Sequence, residues 1–221
     1  MDTVAIHQPN FIPWAGYFHK IANCDLFVLL DDAEYTKSGY INRNRIKTPT
    51  GWQWLTVPVH YSGRSRQQIS DVQIVNPDKT YHKITGALQA NYGRAPYYHK
   101  VMELLLPLFA GDKLADLNES IIRVITEYIG IRTPVIRASD LNVKGEATER
   151  LISICQMTGA RCYLAGTGSR NYQDDQLFMN AGIEVKIQQF DHPAYNQLWG
   201  GFTPKLSILD WLFNAGKNAM L

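Results

Sequence analysis

The sequence predicts an α/β protein with a mainly parallel sheet flanked by helices, and three observations carry that prediction. Two short apolar runs, Thr3 to Ile6 and Leu26 to Leu30, flank a stretch of helical spacing from about Trp14 to Ala22, which makes a strand–helix–strand unit. The same alternation returns in the last third of the chain. Between them, residues near 78–129 switch to a helical period and form an insertion in the sheet.

A chain of 221 residues is long enough for one large core, and no linker rich in Gly, Pro and Ser divides it, so 1–221 reads as a single domain with a helical segment at 78–129. Apolar residues make up 45% and charged residues 19%, the balance of a soluble globular protein. The formal charge of +2 requires neither nucleic acid nor an anionic membrane as partner. Cys24, Cys155 and Cys162 have no metal-ligand spacing and read as buried thiols. No apolar stretch approaches the length of a membrane span, and no charged leader precedes an apolar run, so the expectation is a cytoplasmic protein.

After the second strand, a polar loop leads through Asn42, Arg43, Asn44 and Arg45 to a turn at Pro49–Gly51 and a strand from Trp52 to Val59, with Trp52, Trp54 and Val57 facing one way. Ser70 to Val75 is a short strand at best. Asn76-Pro77-Asp78 starts a helix that Gly93 stops, with Ile84 and Leu88 inward. A second helix spans about Tyr97 to Phe109, and a third carries Leu117, Ile121, Val124 and Tyr128. Then come a strand in Pro134–Ser139, a helix in Glu146–Met157, a strand in Arg161–Leu164, a helix in Asp174–Asn180, a strand in Ile183–Ile187 and a closing helix in Leu206–Phe213.

Ligands of open parallel sheets bind beyond the carboxyl ends of the strands. His7, Gln8 and Asn10 leave the first strand at that rim, and Asp31, Asp32 and Glu34 leave the second. A histidine there can move a proton or bond an oxyanion, whereas the bland alternative is an imidazole bonded to a neighbouring carbonyl. The helix after Pro13 offers free N–H groups at its start, and Gly16 would let a ligand approach the backbone closely. The crowded carboxylates need a cation: magnesium, or pairing with Arg43 and Arg45. Arg43 and Arg45, two apart on a strand-like segment, point the same way and suit a diphosphate, with Lys37 assisting; Asn42 and Asn44 share the other direction. Gly166, Gly168 and Arg170 belong to a glycine-bearing turn between a strand and a helix, a candidate substrate loop without dinucleotide or P-loop spacing. His192, beside Asp191, is a third acid–base candidate, with Asp210 as a candidate partner.

The run AIHQPNFIPWAGYFHKIANCDLFVLLDDAEYTKSGYINRNRIK, with NYGRAPYY, YLAGTGSRNY, GIEVKIQQFDHPAYNQ and FTPKLSILDWLFNAG further on, resembles the WbqC-like family over essentially the whole chain. The resemblance implies work on a nucleotide-activated amino sugar, by transfer of an acyl or aminoacyl group to its amine. It matches His7, Gln8, Asn10, Asp32, Arg43, Asn44 and Arg45 to the family's polar signature. His7, Asp32 and His192 are then the catalytic candidates. Gln8, Asn10, Lys37, Asn42, Arg43, Asn44, Arg45, Gly166, Gly168 and Arg170 are the substrate-binding ones, with no metal ligand assigned.

The layout is also similar to nucleotidyltransferase-like enzymes, although their H-x-G-H stands here as W-A-G-Y. That likeness implies an alternative: adenylyl or nucleotidyl transfer with ATP and magnesium in place of an acyl donor. A third reading is a non-catalytic partner protein, with nucleic acid a minor variant on the strip Trp52, Tyr61, Arg64 and Arg66. The expected partner is a small anionic, nucleotide-linked molecule.

Overall fold

The first strand, β1 (Thr3–His7), is mainly β-branched before its last residue, and Pro9 stops it. Helix α1 (Ala15–Ala22) follows Pro13 and buries Tyr17, Phe18 and Ile21, with His19 and Lys20 in its last turn where the helix dipole favours cations. It returns the chain to β2 (Leu26–Leu29), which is buried along its whole length, as a strand covered on both faces must be. The computed structural model describes residues 2–61, 66–168 and 173–217.

Among the described residues the main sheet has five strands in the order β5-β2-β1-β6-β7, with every neighbouring pair parallel. The remaining members are β5 (Val135–Arg137), β6 (Cys162–Ala165) and β7 (Glu184–Ile187). The chain steps outward from β1 through β2 to β5, then crosses back to the other side of β1 for β6 and β7. Side chains alternate between two cores as the pleat requires. Ala5, Phe27 and Leu29 pack with α1 and with α4 (Leu114–Tyr128). Val4, Ile6, Leu26 and Val28 pack against Ile154, Cys155 and Phe178 of α5 (Ala147–Met157) and α6 (Asp175–Asn180). Helices therefore cover both faces of a parallel sheet, as the alternation predicts.

The expected helical insertion is present between β2 and β5. It holds α2 (Pro77–Tyr92), α3 (Tyr98–Leu105) and α4. The second helix is shorter than its periodicity suggests, because Pro107 turns the chain into a 3₁₀ turn at Leu106–Leu108. Ser70 to Val75 forms no strand: Ile74 bridges Val59, and Gln73 bridges Lys113.

Ahead of these helices lies a hairpin of β3 (Arg43–Thr48) and β4 (Gly51–Thr56), closed by Gly51 at φ 131°, a value that favours glycine. The facing expected for Trp52, Trp54 and Val57 is corrected. The two tryptophans stand on the outer face, 47% and 36% exposed, while Val57 lies past the strand end and is buried. The last helix, α7 (Ile208–Ala215), is capped by Ser207, whose hydroxyl accepts from the Leu209 N–H. No helix among the described residues is long and apolar enough to cross a membrane.

Candidate functional site

The strand order places a topological switch point between β1 and β6, because the connections leaving these two neighbours run to opposite faces of the sheet. Open parallel sheets take their ligands in the crevice beyond the carboxyl ends at such a point. His7 and Gln8 form one lip, and Gly166, Thr167 and Gly168 follow β6 on the other side. Beside them Thr167, Ile187, Gln188, Gln189, Phe190 and Asp191 line an open depression of about 420 Å³.

His7 is held firmly. Its Nδ1 lies 3.1 Å from the Gln8 carbonyl, which can only accept, so Nδ1 carries the proton and Nε2 the lone pair. The Tyr17 ring meets it edge-on at 4.8 Å, and the Tyr17 hydroxyl donates to the same carbonyl at 3.1 Å. Burial, and then the nearby Lys20 ammonium, push the imidazole down to about 4. At neutral pH the crevice therefore presents a neutral imidazole with an unprotonated Nε2. Gln188 reaches across from β7, donating to the Gly16 carbonyl at 2.7 Å and to Nδ1 of His19 at 3.1 Å.

Lys20 was missed from the sequence. It is 2% exposed, and its Nζ donates to the Ile6 carbonyl at 3.2 Å. Tyr17, Lys20, Ile21 and Cys24 share one helical stripe, so the signal was a lysine set on the inward face.

The carboxylates after β2 do not pair with Arg43 and Arg45. Asp31 is buried and accepts from the Ser139 N–H at 3.0 Å and the Ser139 hydroxyl at 2.8 Å, tying β2 to the turn after β5. Arg137 lies 4.0 Å from Asp31 and donates to Asp116 and Glu119 of α4. Asp32 pairs with Arg150 of α5; burial raises its carboxyl pKa and Arg150 draws it down. Among the described residues no group of three or more His, Cys, Asp or Glu side chains is arranged to hold a metal.

Gly16 also plays another part than the one expected. An added Cβ would lie 2.3 Å from the Trp14 indole, so the missing side chain makes room for Trp14 and not for a ligand.

On the hairpin the alternation holds, with Asn42 and Asn44 turned one way and the arginines the other. Asn44 is buried and donates to the Phe11 and Ile12 carbonyls at 3.2 and 2.7 Å, which pins the β1–α1 loop against β3. Asn42 donates to Val57 at 2.9 Å. Arg43 stacks on Trp54 with 4.2 Å to the ring centroid and donates to the Ser38 and Gly39 carbonyls. Arg45 stands 5.2 Å over Trp52 and donates to Lys205. Neither arginine has a carboxylate in salt-bridge range among the described residues. Asn118, buried on α4, donates to Pro9 and Ile41 and so fastens the His7 loop to the loop that carries Lys37, which is exposed.

His192 lies apart from His7, with no contact joining them among the described residues. Its ring sits among Trp14, Phe190, Tyr195, Phe202 and Trp211 at centroid distances of 5.5–6.3 Å, and its Nδ1 donates to Pro193. Asp210 is not its partner. That carboxylate is fully buried and accepts from Tyr92, Tyr195 and Gln197 at 2.7–2.9 Å. Lys47 joins the same network through Gln197 and Gly200, so the loop before α7 is latched to β3. Arg170 lies outside the described residues.

Uncharacterized protein Rv1507c of Mycobacterium tuberculosis is 40% identical over 225 residues, spanning 99% of this chain and 96% of that protein. No solved structure matches. Residues 8–221 match the WbqC-like protein family, and the chain belongs to that family.

Proposed function

We propose that the protein is a transferase that adds an acyl or aminoacyl group to the amine of an amino sugar carried on a nucleotide, with the reaction at the crevice between β1 and β6. The observation that carries this reading is the neutral His7 imidazole at the switch point, with Nδ1 occupied and Nε2 bearing the lone pair. In the proposed step the sugar amine attacks the carbonyl carbon of an activated acyl donor. A C–N bond forms, the bond from carbon to the donor's leaving group breaks, and the amine's proton passes to Nε2 and then to the leaving group. Gln8, Asn10, Gly166, Gly168 and Arg170 would contact the substrate, and Asp32 would orient the amine. His192 would act from the aromatic group of Trp14, Phe190, Tyr195, Phe202 and Trp211.

Arg43 and Arg45, with Lys37, would hold the diphosphate, while Asn42 and Asn44 fix the hairpin that presents them. Arg43→Ala tests this. Losing one charged hydrogen bond of about 2 kcal/mol weakens a nucleotide sugar about 30-fold. Losing the stack on Trp54 and the bonds to the Ser38 and Gly39 carbonyls acts on the fold itself and is read separately, as the Tm difference without ligand. Equal thermal shifts of wild type and variant by the nucleotide sugar would refute the assignment. ATP binding that tightens with magnesium would instead make the protein an adenylyl- or nucleotidyl-transfer enzyme.

A further inference from the structure

Carbonyls alternate in direction along a strand. Those of Thr3 and His7 are taken on the β2 side, by the Asp25 and Leu30 N–H groups at 2.9 and 2.8 Å, so the Ile6 carbonyl faces β6. The β1–β6 ladder nevertheless holds only Thr3↔Cys162 and Val4↔Tyr163, although β1 continues to His7 and β6 to Ala165. Pairing of these two strands thus stops before their carboxyl ends, at the switch point. Lys20, reaching in from α1, takes the carbonyl that the ladder leaves, at 3.2 Å, and lies 5.9 Å from the Tyr163 ring centroid.

An ammonium in that position lacks a counter-ion. It is 2% exposed, no carboxylate lies in salt-bridge range, and Ile6 is its one hydrogen-bond acceptor among the described residues. A buried cation is costly unless something of opposite charge completes it. Met would fill the same space and leave only one carbonyl unbonded, so packing alone does not call for lysine. Burial lowers the amine to about 8, which keeps the charged form dominant at pH 7.

We propose that Lys20 is the anion-binding group of the crevice, and that its counter-ion is a carboxylate or phosphate oxyanion of the ligand seated beside His7. This rests on the reading of the same crevice as the reaction site. It adds a second anionic point, at the reacting end, to the one proposed for Arg43 and Arg45.

The test follows chemical shifts of the purified protein titrated with acetate, inorganic phosphate and uridine diphosphate. The acetate and phosphate arms separate a carboxylate from a phosphate, and the diphosphate arm separates both from the arginine pair. Lys20→Met should weaken whichever small oxyanion binds at His7 by at least about 10-fold, and Arg43→Ala should leave it unchanged. Wild type supplies a second measurement should the variant not fold. Acetate affinity should fall as pH rises from 7 to about 9.5, through the titration of the amine. The titratable groups facing Lys20 are His7 from β1, Tyr163 from β6 and Cys24, just past the end of α1. His7 is neutral across that range, and burial pushes the Cys24 thiol up to about 12.

Unchanged affinity in Lys20→Met, a flat pH profile for acetate, or absence of small-anion binding to wild type would each overturn the inference. A nucleotide sugar weakened by Arg43→Ala but not by Lys20→Met would overturn it while leaving the transferase reading intact.

Discussion

Acid should destabilise this protein in part through the His7 imidazole. His7 has a depressed pKa in the fold, about 4 against an ordinary 6.5, so the unfolded chain takes up this proton first. The stabilisation is complete above about 6.5 and is lost as pH falls toward 4. Between pH 7 and pH 5 the fold then loses about 2 kcal/mol from this residue, because a tenfold change in proton concentration between the two pKa values is worth about 1.4 kcal/mol and most of the interval lies between them. His7→Gln keeps an amide that can bond the Gln8 carbonyl but does not titrate. Urea unfolding of both proteins at the two pH values isolates the effect, because the other titrating groups cancel in the difference. The stability gap between wild type and His7→Gln should move against wild type by about 2 kcal/mol on going to pH 5. The His7 ring proton resonances should show no titration down to about 5. A midpoint near 6.5, with equal acid sensitivity in both proteins, would refute the shielded crevice and remove the neutral base from the proposed mechanism.

Two further outcomes test what holds the site in place. Asp210→Asn should cost about 2–4 kcal/mol in urea unfolding, because a fully buried acceptor of bonds from Tyr92, Tyr195 and Gln197 is replaced by a group that carries its own donors. The loop at 197–203 should then be cut sooner in limited proteolysis. Asp31→Ala should cost about 2–3 kcal/mol by leaving the Ser139 N–H and hydroxyl without their acceptor, and hydrogen exchange should rise at Ala138–Leu141 more than at β1.

Local periodicity made β1, α1 and β2 legible, since apolar side chains at strand and helix spacing fall onto faces before any long-range contact is known. His7 and Gln8 could be placed at a carboxyl-end rim on that basis alone, and β1 does end at His7. The partners of the carboxylates could not be read in the same way. Asp31 meets Ser139 and Asp32 meets Arg150, both more than 100 positions away, while the arginines nearer in sequence lie on the hairpin's outer face. Proximity along the chain was a poor guide because the hairpin turns Arg43 and Arg45 away from the β2 end. Gly16 misled for a similar reason: the space it opens is filled by Trp14, two residues earlier.

By itself the sequence determined the alternation of strands and helices, the helical insertion, the family and the polar residues of the first loop, because each is written in local spacing and residue type. Tertiary structure alone decided the strand order and thus the switch point, the neutral state of His7, and the burial of Lys20 where β1 and β6 stop pairing. Each of these depends on which distant segments become neighbours, and on the water they exclude when they do.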